Sequence, residues 1–252
     1  MDGAAAGLVA AAGGGLADPS RPLLTFYDDA SGERVALSAA ELGGWAARAA
    51  SLLTSGCGLG TGSRVAVLLP PHWQTAVALL GAWSAGVAVS FRLSATAGLA
   101  ALGPGVSEPF DAVLVSSGQL DDWLVDVPSA THRFVFAVGD AKRPVTPPAG
   151  YREFLPSLSL FPGEPAVSLQ ATDAATVDGT TYGQWGALAH EIATGAGLAA
   201  GDRLLIDAAE HEHPLKWLLA PLSVGASVVL CANLDRSVVA SRIAAEGVTR
   251  VL

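Results

Sequence analysis

His72, His211 and His213, with the carboxylates around the last two, have the types and spacing that could do chemistry. In Glu210-His211-Glu212-His213 the histidines stand two apart, so on an extended strand they would share one face. A zinc protease helix instead needs histidines four apart on one helical face. Asp207 is the candidate for a third metal ligand, but a solvated turn is the simpler reading, and no metal is assigned. His72 and His211 lie 139 residues apart, each after a predicted strand and before a predicted helix. That is where open α/β sheets take their ligands. Two readings stay open: each ring bonds the backbone of its turn, or each lines a pocket. No G-x-S-x-G elbow is present to carry a hydrolytic serine. Gly56, Gly58, Gly60 and Gly62 follow a helix and precede a strand, the wrong side for a dinucleotide pyrophosphate. No catalytic residue is assigned.

These spacings belong to a repeat. Leu59–Val67 (LGTGSRVAV) aligns with Leu198–Ile206 (LAAGDRLLI), and Gly62/Gly201, Arg64/Arg203 and Gly86/Gly225 all share the offset of 139. A constant offset over more than twenty residues predicts two copies of one strand–helix–strand unit, with a crevice between them. Ahead of the first copy, Leu23–Tyr27 and Glu33–Leu37 predict a hairpin around Asp28-Asp29-Ala30-Ser31-Gly32. Ser38 then caps a helix, with Glu41 completing a capping box. Strands over 64–69 and 87–91 flank a helix starting near Trp73; a short helix over 93–102 and strands over 112–116 and 134–138 follow. The second copy predicts a strand over 166–171, a turn over 177–180 and a helix over 182–194 capped by Thr181. Strands over 203–207, 226–231 and 248–252 come next, with helices over 214–223 and 236–246 between them.

Alternation of strands and helices predicts an α/β fold of two pseudo-repeated, doubly wound subdomains with mainly parallel sheets. The expected division is a tail over 1–18, a first subdomain over 19–139, a proline-rich connection over 140–165 and a second subdomain over 166–252. The apolar last strand suits an inner position in a sheet and suggests descent from a longer chain. Trp45, Trp73, Trp83, Trp185 and Trp217 fall on predicted helices and are expected to pack on the sheets; Trp123 has no assignment.

Composition narrows the partners. Of 252 residues, 51% are hydrophobic and 15% charged, yet no unbroken apolar run is long enough for a membrane helix. The start Met1-Asp2 lacks the basic region of a secretory signal. Cys57 and Cys231 are expected to be free thiols in a reducing compartment, the cytoplasm. A net charge of −9 disfavours nucleic acid and anionic membrane, and the lysines are Lys142 and Lys216 alone.

The segment from Asp18 to Phe91 resembles the start of adenylate-forming enzymes, the superfamily of acyl-CoA synthetases, adenylation domains and luciferases. The carrying stretches are GERVALSAAELGGWAARAASLL, GLGTGSRVAVLLP and LLGAWSAGVAVSF. GLAAGDRLLI, APLSVGASVVL and EGVTRVL resemble that superfamily's second subdomain. The whole layout is similar to a small actinobacterial family distantly related to AMP-binding synthetases. The resemblance implies ATP or AMP as cofactor, an acyl or adenylate ligand, and a histidine or aromatic near His211 lining an acyl pocket, with His72 and His213 as further candidates for the ligand pocket.

It also implies a phosphate loop rich in Ser, Thr and Gly and ending in Pro-Lys. The matching stretch here is Ser168 to Tyr182, SLQATDAATVDGTTY. Thr172, Asp173, Thr180 and Thr181 are the residues it offers to a nucleotide, but it has no lysine, and Asp173 and Asp178 would repel phosphate. The superfamily's later adenine, ribose and lysine motifs find no match. The expectation is a catalytically deficient relative that acts by binding a weak ligand or a protein partner, with self-association as a further route. The alternative is a divergent or split ligase whose missing domain comes from another chain.

Overall fold

The computed structural model describes residues 21–91, 93, 108–122, 127–138, 146–163 and 167–252. Two five-stranded sheets carry the molecule. The first holds β3 (Arg64–Leu68), β4 (Ala88–Phe91), β5 (Phe110–Ser116), β6 (Ala130–Phe136) and β7 (Arg152–Glu153). Its order is β4-β3-β5-β6-β7, and every pairing is parallel. The second holds β8 (Arg203–Asp207), β9 (Ser227–Ala232) and β10 (Arg250–Val251), joined by the hairpin strands β1 (Leu24–Asp28) and β2 (Glu33–Leu37). Its order is β10-β8-β9-β1-β2, parallel apart from β1–β2.

Sheet membership therefore does not follow chain order. The N-terminal hairpin, met ahead of the first copy, pairs with β9 of the second, with Leu24 opposite Val228 and Phe26 opposite Leu230. Leu23, Leu24, Phe26 and Thr25 are all buried, as a strand covered on both faces must be. The apolar core runs unbroken from Val65, Leu114 and Phe134 of one sheet to Leu204, Val228 and Leu230 of the other.

The predicted caps form. Ser38 Oγ accepts the Glu41 amide (3.2 Å), and Glu41 Oε2 accepts the Ser38 amide (2.8 Å), opening α1 (Ala39–Ser51). Helix α2 (Trp73–Ser84) is buried on every face. It meets α1 so closely that a Cβ on Gly81 would lie 2.4 Å from the Ala49 Cβ. Glycine is what lets these backbones approach. Gly62 and Gly201 share φ of 91° and 85°, and Gly86 and Gly225 share 77° and 75°, so the repeat in sequence is a repeat in backbone.

Four expectations change. The strand expected over 166–171 does not form among its described residues. There the Gln170 amide bonds Asp173 Oδ2 (2.7 Å), which bends the chain into a turn. The proline-rich connection holds elements of its own, β7 and the short α4 (Phe154–Leu158), whose Phe154 and Leu158 are buried; a further short helix, α3 (Ser117–Asp122), follows β5. The helix expected over 214–223 opens as a π-turn (Leu215–Leu219) before α6 (Ala220–Ser223). The last strand, β10, stands at a sheet edge with Val251 55% exposed. The expected tail over 1–18, most of the helix over 93–102 and Trp123 lie outside the described residues.

Candidate ligand crevice

Parallel strands present their carboxyl ends together, and ligands of open α/β sheets bind there. Beyond the ends of β3 and β4 a cavity of about 10 Å³ lies between the two repeat units, room for about one water. Val67, Leu69 and Phe91 line it from the first, and Glu212, Pro214 and Trp217 from the second. Small-molecule sites usually offer about 300–1,000 Å³. This one is small.

Aromatic side chains occupy the space beside it. His213 stacks on Trp185 with centroids 5.6 Å apart and planes 11° from parallel. Phe91 lies 5.6 Å from each of them, and Trp83 is 6.2 Å from both Phe91 and Trp185. Trp185 belongs to α5 (Tyr182–Gly195), which Thr181 and Gln184 open with a capping box. His213 Nδ1 accepts the Leu215 amide (3.3 Å), so it caps the π-turn that follows. Burial, with help from the Lys216 charge, pushes its pKa down and leaves the ring neutral.

The histidines part company. Offset arithmetic pairs His72 with His211, but the bonding pairs His72 with His213. His72 Nδ1 accepts the Gln74 amide (3.1 Å) as the N-cap of α2, the same bond that His213 makes. His211 Nδ1 is enclosed without a hydrogen-bond partner among the described residues. The second copy inserts two residues before its cap, so its histidine lies 141 residues on. Of the two readings left open, turn bonding describes His72, while His213 bonds its turn and stands beside the crevice.

The stretch from Ser168 to Tyr182 is tied to the fold by its own backbone. Ala175 and Thr176 amides both donate to the Thr180 carbonyl, and Gly179 donates to Thr176. The Val177 amide donates to Val89 of β4, and Val89 returns a bond to Ala175 (3.0 Å), so the segment edges the first sheet. Asp178 Oδ1 accepts the Thr176 hydroxyl, the Thr180 amide (3.0 Å) and the Thr180 hydroxyl (2.8 Å). These bonds, the Thr176 hydroxyl foremost, hold the Asp178 carboxyl below its ordinary pKa, so it is an anion at neutral pH. The Thr181 amide goes to Gln184 and the Tyr182 amide to Asp173.

Thr180 and Thr181 are thus engaged in turn and cap, Asp173 holds the Gln170 amide, and Thr172 is exposed. Trp185 links this segment to the crevice, since its Nε1–H reaches Thr176 Oγ1 (3.4 Å). Trp185, Phe91 and Thr176 were not among the candidate site residues. The available signal was the position of Phe91 at the carboxyl end of a strand and of Trp185 one turn after the cap. No group of three His, Cys, Asp or Glu among the described residues is placed to hold a metal ion.

Comparison with known proteins fits this layout. The profile described as "AMP-binding enzyme" matches residues 16–99. The "TIGR03089 family protein" of Mycobacterium tuberculosis is 35% identical over 242 residues, covering 94% of this chain and 93% of that protein. A Brucella canis acyl-CoA synthetase superposes with a TM-score of 0.72 at 18% identity, over 97% of this chain and 46% of that one. The acetoacetyl-CoA synthetase of Streptomyces lividans gives 0.73 at 18% identity, over 98% and 42%. The chain thus spans a little under half the length of these solved synthetases.

Proposed function

The chain belongs to the TIGR03089 family, and we propose that it is a binding relative of the AMP-binding synthetases rather than a ligase acting alone. Its ligand would be an adenylate or an acyl group, held weakly at the crevice between the repeats, with ATP or AMP as the related nucleotide. A protein partner or a second copy would read out the bound state. One observation carries this reading: the main-chain amides of 175–177 and 179–182 already donate to the protein's own oxygens. A phosphate cradle needs such amides free and convergent. The same stretch has no lysine, and Asp178 sets a fixed negative charge within it. Removing one preorganised donor from an active site typically lowers rate by about 10²–10³, and here several would be missing at once.

The test is ATP–pyrophosphate exchange by the isolated protein across a panel of acyl and aryl acids. Exchange at background is expected; turnover comparable with a full-length synthetase sinks the reading. A thermal-shift screen with AMP and acyl-adenylate analogues then measures the pocket, since ligand at 100 times its Kd adds about 2.7 kcal/mol.

The length comparison favours a second reading. A chain spanning 46% and 42% of two synthetases could be one part of a split ligase, completed by a lysine-bearing domain on another chain. A co-purifying protein that raises exchange by orders of magnitude would establish it. The free thiols Cys57 and Cys231 support a reducing compartment, the cytoplasm, as its location. No helix among the described residues is long and apolar enough to cross a membrane.

A further inference from the structure

His72 does no work at the crevice, yet it is a titratable group placed at a junction. The ring is 2% exposed and sits where the hairpin of one sheet meets the first buried helix of the other. Its Nδ1 accepts the Gln74 amide, the N-cap bond of α2. An imidazole nitrogen that accepts carries no proton, so the neutral ring must hold its hydrogen on Nε2. Nε2 faces Glu33 at the start of β2, 3.6 Å from Oε2, with no partner within hydrogen-bond distance among the described residues. The other Glu33 oxygen accepts the Trp73 indole N–H (2.9 Å). Phe26 of β1 closes the remaining side, its ring edge-on to the imidazole at 4.2 Å. The charged groups facing the ring are Glu33 from β2 and Asp28 from the end of β1, while α2 contributes the neutral Trp73 and Gln74.

We propose that His72 and Glu33 form a latch between the N-terminal hairpin and α2 that is closed when His72 is neutral and released by acid. The reason lies in which nitrogen must take the second proton. Protonation adds a hydrogen to Nδ1, which then meets the Gln74 N–H donor to donor. The cap is lost, and with it the acceptor that holds the first turn of α2. The new charge is attracted to Glu33, but it must sit in an apolar enclosure beside Phe26. Burial is the larger influence and pushes the His72 pKa below 6.5, against the upward pull of Glu33 and Asp28.

The sign follows. Below pH 6.5 the released form binds the proton and the closed form does not, so the latch weakens as pH falls. The weakening ends at the lower pKa of the closed form. This device is independent of whether a nucleotide binds.

Hydrogen exchange at the Gln74 amide reads the latch directly, because His72 is the acceptor of that hydrogen. Corrected for the intrinsic rate, its opening should grow between pH 7.5 and 5.5, by up to about tenfold per pH unit below the released-state pKa. His72→Asn supplies a non-titrating N-cap and should flatten this dependence; the same dependence in H72N overturns the proposal. Should H72N fail to fold, Glu33→Gln serves with His72 in place. It keeps an acceptor for Trp73 but removes the charge that favours the protonated ring, so the closed form's pKa falls. Opening should then go on growing to lower pH than in the wild type; growth that ends at the same pH overturns the latch. A nitrogen NMR spectrum at pH 7.5 must also show the proton on Nε2, and the Nδ1–H tautomer would end the argument.

Discussion

Arg64 and Arg203 hold the same place in the two repeats, yet they live in different surroundings. Arg64 reaches Glu108 at 2.9 Å, and that carboxylate is open to water. Its guanidinium also lies over the Phe110 ring. Arg203 is 1% exposed and spends its donors on the Pro22 carbonyl (2.8 Å), Thr25 Oγ1 (2.8 Å) and Glu246 Oε2 (2.6 Å). Glu246, on α7 (Val239–Glu246), also takes bonds from Tyr27 and Arg34 of the hairpin. Burial would raise the Glu246 pKa, but these three donors outweigh it and hold it at about 2. The difference comes from the hairpin, which covers the second copy at this end. Equivalent residues become a half-buried ion pair in one copy and a structural clamp in the other.

Mutation of the arginines should break the symmetry most visibly. Arg203→Ala leaves Glu246 with only part of its compensation and should cost about 3–5 kcal/mol in a denaturant titration. A loss below 1 kcal/mol would show that the clamp is dispensable. The helices give the next largest contrast. Gly81 of α2 has Ala220 as its repeat partner, and only Gly81 sits against the Ala49 Cβ. Gly81→Ala should therefore destabilise by about 1–3 kcal/mol through overpacking. A gain in stability, as helix propensity alone would give, would mean that α1 and α2 can separate freely. Arg64→Ala should have the smallest effect, about 1 kcal/mol, because its ion partner is solvated. Equal losses at Arg64 and Arg203 in matched denaturant titrations would erase the comparison.

Much of this architecture was legible. Glycines at matching offsets gave matching left-handed turns, because only glycine takes those angles without strain. Ser38 with Glu41, and Thr181 ahead of Tyr182, gave helix starts that depend on residues three apart. The histidines were harder to place. Offset alone chose His211, but capping is decided by which side chain stands two before the first free amide, and the second copy's longer loop moved that role to His213. Over 168–182 the lack of lysine could be read, whereas the bond from Val177 to Val89 could not, since those residues lie far apart in the chain.

Taken by itself, the order of residues determined the repeat, the hairpin, the caps and the parallel α/β class, because each rests on contacts within a few positions or on a period. Only the tertiary structure decided that the hairpin would cross to the other copy's sheet, that Arg203 would be enclosed and that His72 would face Glu33. Strand pairing across some two hundred residues leaves no local period to read. It is settled by which apolar surface most fully covers another once the chain has collapsed.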